Sequence, residues 1–214
     1  MEVVIAGGHG QVALRLERLL SGAGHRVRAL IRNPDHAADV EAAGGVPVVC
    51  DLEASNDLTE AVRGADAAVF AAGAGPGSGP ERKRTVDYGG AVKLIDACRT
   101  AGVDRYVMIS SIGADRPELG RGSMGPYLRA KANADAALQA SGLSYTIVRP
   151  GGLTDDPGTG RVALAEHLGR RGSIPRDDVA AVLAAAITGG LLVGRTVELI
   201  SGDTPLAEAL AAKN

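Results

Sequence analysis

Short apolar runs alternate with segments of helical periodicity along most of the chain. Val3-Val4-Ile5-Ala6 opens the series, and further runs lie at 27–31, 46–50, 67–71, 105–109 and 145–148. They are rich in Val, Ile and Ala and lack strict apolar–polar alternation, the pattern of strands buried on both faces. Pro47 is tolerable near the start of its run. Between the runs, the spacing of apolar positions predicts helices at 11–20, 37–43, 58–62, 84–100 and 127–139. Repeated strand–helix alternation predicts an α/β chain, a parallel sheet wrapped by helices on both sides with right-handed crossovers. The glycine- and proline-rich stretch 73–80 reads as a mobile loop within one domain and not as a linker.

Composition narrows the possibilities. A length of 214 residues is ample for one sheet core. Aromatic residues are only 2% of the chain, so the core must be aliphatic and there is little to stack on nucleic-acid bases. A formal charge of −2 offers no general attraction for nucleic acid. No stretch approaches the apolar length of a membrane span, and the N-terminus opens directly on a strand, so neither a membrane nor a secretory route is expected. Cys50 and Cys98 match no metal or redox spacing and read as reduced structural thiols of a cytoplasmic protein. The histidines at 9, 25, 36 and 167 form no ligand pattern, so no metal is expected.

In a sheet of this kind ligands lie beyond the carboxyl ends of the strands, and each end carries candidate chemistry. After the first strand comes Gly7-Gly8-His9-Gly10-Gln11-Val12-Ala13, spaced G-x-x-G-x-x-A. Gly7 allows a tight turn, Gly10 lets the backbone approach phosphates, and small Ala13 lets the helix lie against the strand. First-turn N–H groups, those of Gln11 and Val12 among them, would face the anion. His9 belongs to this loop through its backbone; a pyrophosphate held by the main chain does not need its side chain. The second strand ends at Arg32, whose guanidinium suits a ribose 2′-phosphate and tilts the cofactor from NAD towards NADP. Asp51-Leu52 ends the third strand, where Asp51 suits either the adenine amino group or a helix cap. Small Ala71-Ala72-Gly73 would let a ribose pass close to the fourth. Ser110-Ser111 ends the fifth, and Tyr127 with Lys131 forms an i, i+4 pair on one helix face. That spacing brings an ammonium near a phenol and favours its phenolate, as proton transfer during hydride movement requires. A structural or cofactor-holding role for the pair stands beside the catalytic one.

These residues together resemble an atypical short-chain dehydrogenase/reductase of the sugar-epimerase-like, NAD(P)-binding subgroup. The resemblance runs through Gly7 to Ala13, Leu30-Ile31-Arg32-Asn33-Pro34, Val107 to Asp115, Tyr127 to Asp135 and Val148-Arg149-Pro150-Gly151-Gly152-Leu153. It continues through Pro175-Arg176-Asp177-Asp178-Val179-Ala180, which leads a helix, and Thr196-Val197-Glu198-Leu199, a last strand. It implies a single Rossmann-like domain over 1–214, with a doubly wound sheet of about seven strands and a small substrate-side portion from about residue 151. It also implies a bound NAD(P), with nicotinamide near Ser110, Tyr127, Lys131 and the Pro150-Gly151-Gly152-Leu153 loop. Ser111 would orient the substrate oxygen, Tyr127 would act as acid/base, and Lys131 would hold the ribose and tune the phenol. Two departures stand out. Asp87 occupies a position where many relatives carry asparagine, and the region after Gly152 is too short to grip a second nucleotide.

The expected activity is therefore NADPH-dependent oxidoreduction of a small carbonyl or alcohol. An epimerase or dehydratase with tightly held cofactor, and a non-catalytic NADP(H) sensor, are the alternatives. Arg82-Lys83-Arg84 reads as a solvated helix start, with phosphate contact as the alternative, and Arg170-Arg171 reads the same way; Arg149 reads as a partly buried, paired arginine, and Asp177 and Asp178 as favourable charges at a helix N-terminus.

Overall fold

The computed structural model describes residues 1–75 and 77–213; residue 76, within the 73–80 loop, lies outside them. Six strands, β1 (Glu2–Ala6), β2 (Arg26–Ile31), β3 (Val46–Val49), β4 (Ala67–Phe70), β5 (Arg105–Ile109) and β6 (Ser144–Pro150), follow the predicted runs. Helices α1 (Gln11–Gly22), α2 (Ala37–Ala42), α3 (Thr59–Val62), α5 (Ala91–Ala101) and α6 (Met124–Gln139) alternate with them. The short helix α4 (Pro80–Arg82) and a π-helical segment (Lys83–Gly90) run directly into α5. Tyr127 thus lies inside α6 and does not open it.

The chain then departs from simple alternation. After β6 come β7 (Gly152–Thr154), β8 (Arg161–Ala165), β9 (Ser173–Pro175), α7 (Arg176–Thr188), β10 (Arg195–Ser201), β11 (Thr204–Pro205) and α8 (Leu206–Ala211). Among the described residues the main sheet has nine strands, in the order β11-β8-β10-β6-β5-β4-β1-β2-β3. Seven of them, from β10 to β3, are parallel, matching the expected number. The additional two, β8 and β11, join antiparallel at the β10 edge. The Pro150–Leu153 stretch is less of a loop than expected, because Gly152-Leu153-Thr154 pairs with β9.

Burial on both faces explains the apolar runs. Val3 and Ile5 pack with Val12, Leu16 and Leu20 of α1 and with Val179, Val182 and Leu183 of α7. Val4 and Ala6 face the opposite core, with Phe70, Leu94, Cys98 and Leu138. Successive strand residues point to opposite faces, so Val3 to Ala6 and all of β4 meet apolar neighbours on both sides, whereas β3, at the sheet edge, leaves Val46 and Val49 exposed. Ala13 is fully buried, which lets α1 lie close to the sheet, as its small side chain predicts.

Candidate functional site

Gly7 adopts φ +82°, and a Cβ there would stand 2.6 Å from the Ala72 Cα. Both facts exclude a larger residue, so the turn keeps β1 against the end of β4. Gly10 is extended at φ −65°, ψ 147° and opens α1 without a side-chain cap or an acidic residue in the first turn. The first backbone bond of the helix runs from Leu14 N–H to Gly10 C=O. Among the described residues no backbone acceptor meets the Gln11, Val12 or Ala13 amides. Donors left open at a helix N-terminus, with its positive dipole end, suit a phosphate. A Cβ on Gly10 would approach the Gly7 oxygen to 3.1 Å, so side-chain branches would fill the space in front of those amides.

A cleft of about 280 Å³ leads from this turn along the ends of β2, β3 and β4. Gly7, His9, Gly10, Arg32, Asp51, Leu52, Ala71, Ala72 and Gly73 line it, joined by His36, Glu53, Arg82 and Val86. A dinucleotide fits this donor set: backbone amides for the pyrophosphate, small residues beside the ribose, and guanidinium groups at the far end. His9 is turned aside, its Nε2 2.8 Å from Asp39 Oδ2 and its ring stacked on His36 at 3.6 Å. Asp51 accepts the Glu53 amide at 2.8 Å, so one of its oxygens is committed to the local turn.

At the far end of the cleft, Arg32 is joined by Arg82 and Glu53. Glu53 receives Arg82 Nε at 3.3 Å and the Thr85 hydroxyl at 2.6 Å, and Arg32 Nη1 lies 3.8 Å from it. Two arginines are thereby held side by side. The Arg82-Lys83-Arg84 run is accordingly solvated only in part. Arg82 lines the cleft, while Lys83 is buried and donates to the Ser78 carbonyl at 2.6 Å. Only Arg84 fits the earlier reading, paired with Glu81 at the surface. Periodicity showed where this helix ran, but not that a π-helical stretch sets which face each cation takes.

At the end of β5 the two serines separate. Ser110 is buried and donates to Asp135 Oδ2 at 3.0 Å, and Arg149 grips the same oxygen through Nε at 2.9 Å and Nη2 at 2.8 Å. Burial pushes the Asp135 carboxyl up, against the opposing pull of Arg149. Ser111 is half-buried, and among the described residues its hydroxyl donates only to the adjacent Ile112 carbonyl, at 3.3 Å. It is the hydroxyl open to a new partner. Lys131 is buried; its Nζ donates to the Ile109 carbonyl at 3.1 Å and stands 5.9 Å from the centre of the Tyr127 ring. The same Nζ lies 3.4 Å from Asp87 Oδ1, a carboxylate that is 1% exposed and whose other oxygen accepts the Ala74 amide. Asp87 therefore ties the loop after β4 to Lys131. Neither Tyr127 nor Lys131 lines the cleft.

In the C-terminal portion Pro150 is buried and Leu153 is exposed. Asp177 and Asp178 lie in the first turn of α7, and their carboxylates accept from amides of the turn before β8: Asp177 from Gly158, Asp178 from Thr159 and Gly160. Asp177 also takes Arg15 of α1 at 2.7 Å. Burial pushes the Cys98 thiol up to about 12 and raises that of Cys50, in keeping with unreactive thiols. Among the described residues, no helix is long and apolar enough to cross a membrane.

Comparison with known proteins agrees with this geometry. Residues 7–189 match the family model described as NAD(P)H-binding. The chain is 42% identical to the uncharacterized sugar epimerase YhfK of Bacillus subtilis (strain 168), over 98% of this chain and 99% of that protein. A solved structure from Bacillus halodurans, bearing the name of an NAD-dependent epimerase/dehydratase, superposes with a TM-score of 0.94 at 38% identity, covering 99% of both chains. ChuY, an anaerobillin reductase of Escherichia coli O157:H7, gives a TM-score of 0.81 at 26% identity, covering 95% of this chain and 98% of that one.

Proposed function

We propose that this chain, which belongs to the NAD(P)H-binding family whose model it matches, is an oxidoreductase that uses NADPH in preference to NADH on a small carbonyl or alcohol. The observation that carries this reading is the arrangement after β5. A half-buried Ser111 hydroxyl lies there with no partner among the described residues beyond its neighbour's carbonyl, and α6 supplies a Tyr127 ring 5.9 Å from a buried ammonium. Resemblance to a named reductase over nearly the whole chain supports it further.

The Gly7–Val12 backbone would hold the pyrophosphate, Ala71 to Gly73 would pass the ribose, and Arg32 with Arg82 would meet the adenosine 2′-phosphate. Pro150 to Leu153 would flank the nicotinamide. Bound NADPH supplies the hydride. Ser111 donates a hydrogen bond that orients the substrate oxygen, and the Tyr127 hydroxyl hands it a proton. Lys131 supplies positive charge beside that phenol, and Asp87 holds the ammonium in place while tempering its charge. Ser110 acts indirectly, fixing the strand end through Asp135 and Arg149.

The test combines binding and turnover. Calorimetry with NADPH and NADH measures the preference, and a panel of small carbonyls is followed by NADPH absorbance. With a substrate found, Tyr127→Phe should keep cofactor affinity and lose turnover by about 10²–10⁴-fold, the usual contribution of positioned proton transfer. Lys131→Met should lose both. Unchanged turnover in Tyr127→Phe would return the tyrosine to a structural role. An epimerase reading draws on the names of two relatives. Cofactor that survives purification, with no net oxidation of NADPH by any substrate, would favour that reading.

A further inference from the structure

We propose that Asp115, His167 and Glu198 form a binding site for a divalent transition metal, zinc in the first instance, separate from the dinucleotide cleft. The three residues are far apart in sequence. Asp115 lies in the turn after β5, His167 follows β8, and Glu198 belongs to β10. Each offers one ligand atom, and all three atoms lie within 4.8 Å of one another.

The geometry favours an ion over a plain hydrogen-bonded cluster. Ligands at the usual zinc distances of about 2.0–2.2 Å, set at tetrahedral angles, stand about 3.4 Å apart. His167 Nδ1 and Glu198 Oε1 are separated by 3.4 Å. That is longer than a charge-assisted hydrogen bond, normally about 2.7–2.9 Å. Glu198 is 2% exposed, and its Oε2 accepts the Leu168 amide at 2.6 Å, which fixes the carboxylate. Its Oε1 receives no hydrogen bond among the described residues and faces the imidazole. A buried carboxylate is costly unless it is paired or coordinates a metal. Glu198 has no cation of its own: Arg149, opposite it in the strand register, is held by Asp135, and Arg116 pairs with the cluster's other carboxylate, taking Asp115 Oδ2 at 3.2 Å.

Imidazole with two carboxylates is a donor set suited to a borderline ion. Asp115 and His167 are exposed, so both can close the remaining distance and an ion can enter. Leu168 N–H plays the supporting role that fixes a ligand carboxylate. Three protein ligands leave a fourth position for water or a solute atom. The ion would clip the turn carrying Ser111 to the strand pair β8–β10.

The full-length, chelator-stripped protein is titrated with zinc chloride alone by calorimetry, with thermal unfolding followed in parallel. One zinc per chain and a raised midpoint are expected, because a ligand that binds only the folded state stabilises it. His167→Ala and Asp115→Asn, both at exposed positions, should each weaken binding at least tenfold. His36→Ala should leave it unchanged. Cobalt in place of zinc should give the visible absorption of a tetrahedral ion. Absence of one-to-one binding, or equal zinc affinity in wild type, His167→Ala and Asp115→Asn, would overturn the proposal.

Discussion

Glu17 makes stability depend on pH in a direction opposite to that of most carboxylates. It lies on α1, fully buried, and neither side-chain oxygen has a hydrogen-bond partner among the described residues. A Cβ on Gly45 would stand 2.9 Å from its Oε2, which shows how closely the backbone covers it. Burial raises its pKa from 4.5 to about 8, against a smaller opposing effect of Arg18. The folded protein therefore holds a proton that the unfolded chain gives up near 4.5. Stability is complete below that value, falls as the pH rises, and levels off above about 8. Each tenfold difference in proton affinity is about 1.4 kcal/mol, so a shift to about 8 implies a loss of about 3–4 kcal/mol between pH 5 and 8. Glu17→Gln keeps the shape and removes the titration. Denaturant unfolding of both proteins from pH 5 to 8.5 isolates the effect, since all other groups titrate alike in the two. At pH 5 they should differ by about 1 kcal/mol or less, and at pH 8 the variant should be more stable by several. Parallel stability curves across that range would show that Glu17 ionises freely in the folded state.

Four other outcomes are expected. Arg32→Ala should weaken NADPH about tenfold or more while sparing NADH, the size of one charge-assisted bond; equal losses by calorimetry would remove Arg32 from the 2′-phosphate. Gly10→Val should abolish binding of both cofactors, because its branches occupy the space before the α1 amides; retained binding would move the phosphate site elsewhere. Asp87→Asn should destabilise the fold by about 3 kcal/mol, the low end for breaking a buried ion pair, since the amide oxygen can still accept from Ala74; an unchanged denaturation midpoint would show that Lys131 needs no counter-charge. Cys98 should resist thiol reagents at pH 8 until the protein unfolds, its thiol being held at about 12; labelling in the native state would contradict its burial.

The parts of the molecule legible in the sequence are those whose cause is local. Buried parallel strands need apolar side chains on both faces, so β1, β4 and β5 stand out as runs. The glycine turn after β1 is legible because Gly7 and Gly10 are each required by contacts within a few residues or with the neighbouring strand end. Strands β7, β9 and β11 are three, three and two residues long. That is too short for a period to show, and their pairing depends on partners elsewhere in the chain. The same limit hid Asp135 with Ser110 and Arg149, Asp87 with Lys131, and His167 with Glu198. Each is a pair or trio of ordinary polar residues that becomes informative only when the fold brings them together. Arg82 was obscured for a different reason. A basic run at a helix start looks the same whether it is solvated or turned inward, and only Glu53, from another loop, decides it.

The π-helical stretch before α5 has a consequence for how this chain can change length. A π-turn holds more residues than an α-turn, so Lys83–Gly90 behaves as a helix carrying a surplus residue. Losing one residue there would let the stretch relax to ordinary α-helix while α5 stayed anchored by Leu94 and Cys98 in the core. Because the wider turn is what absorbs the surplus, the residues on either side would keep nearly the same faces, and Arg82 would stay beside Glu53. A residue lost from α5, which has no surplus to give up, would instead turn everything upstream by about 100° about the helix axis and carry Arg82 and Thr85 off Glu53. A one-residue deletion at Tyr88 or Gly89 should thus spare the cleft, while the same deletion inside α5 should dismantle its far end.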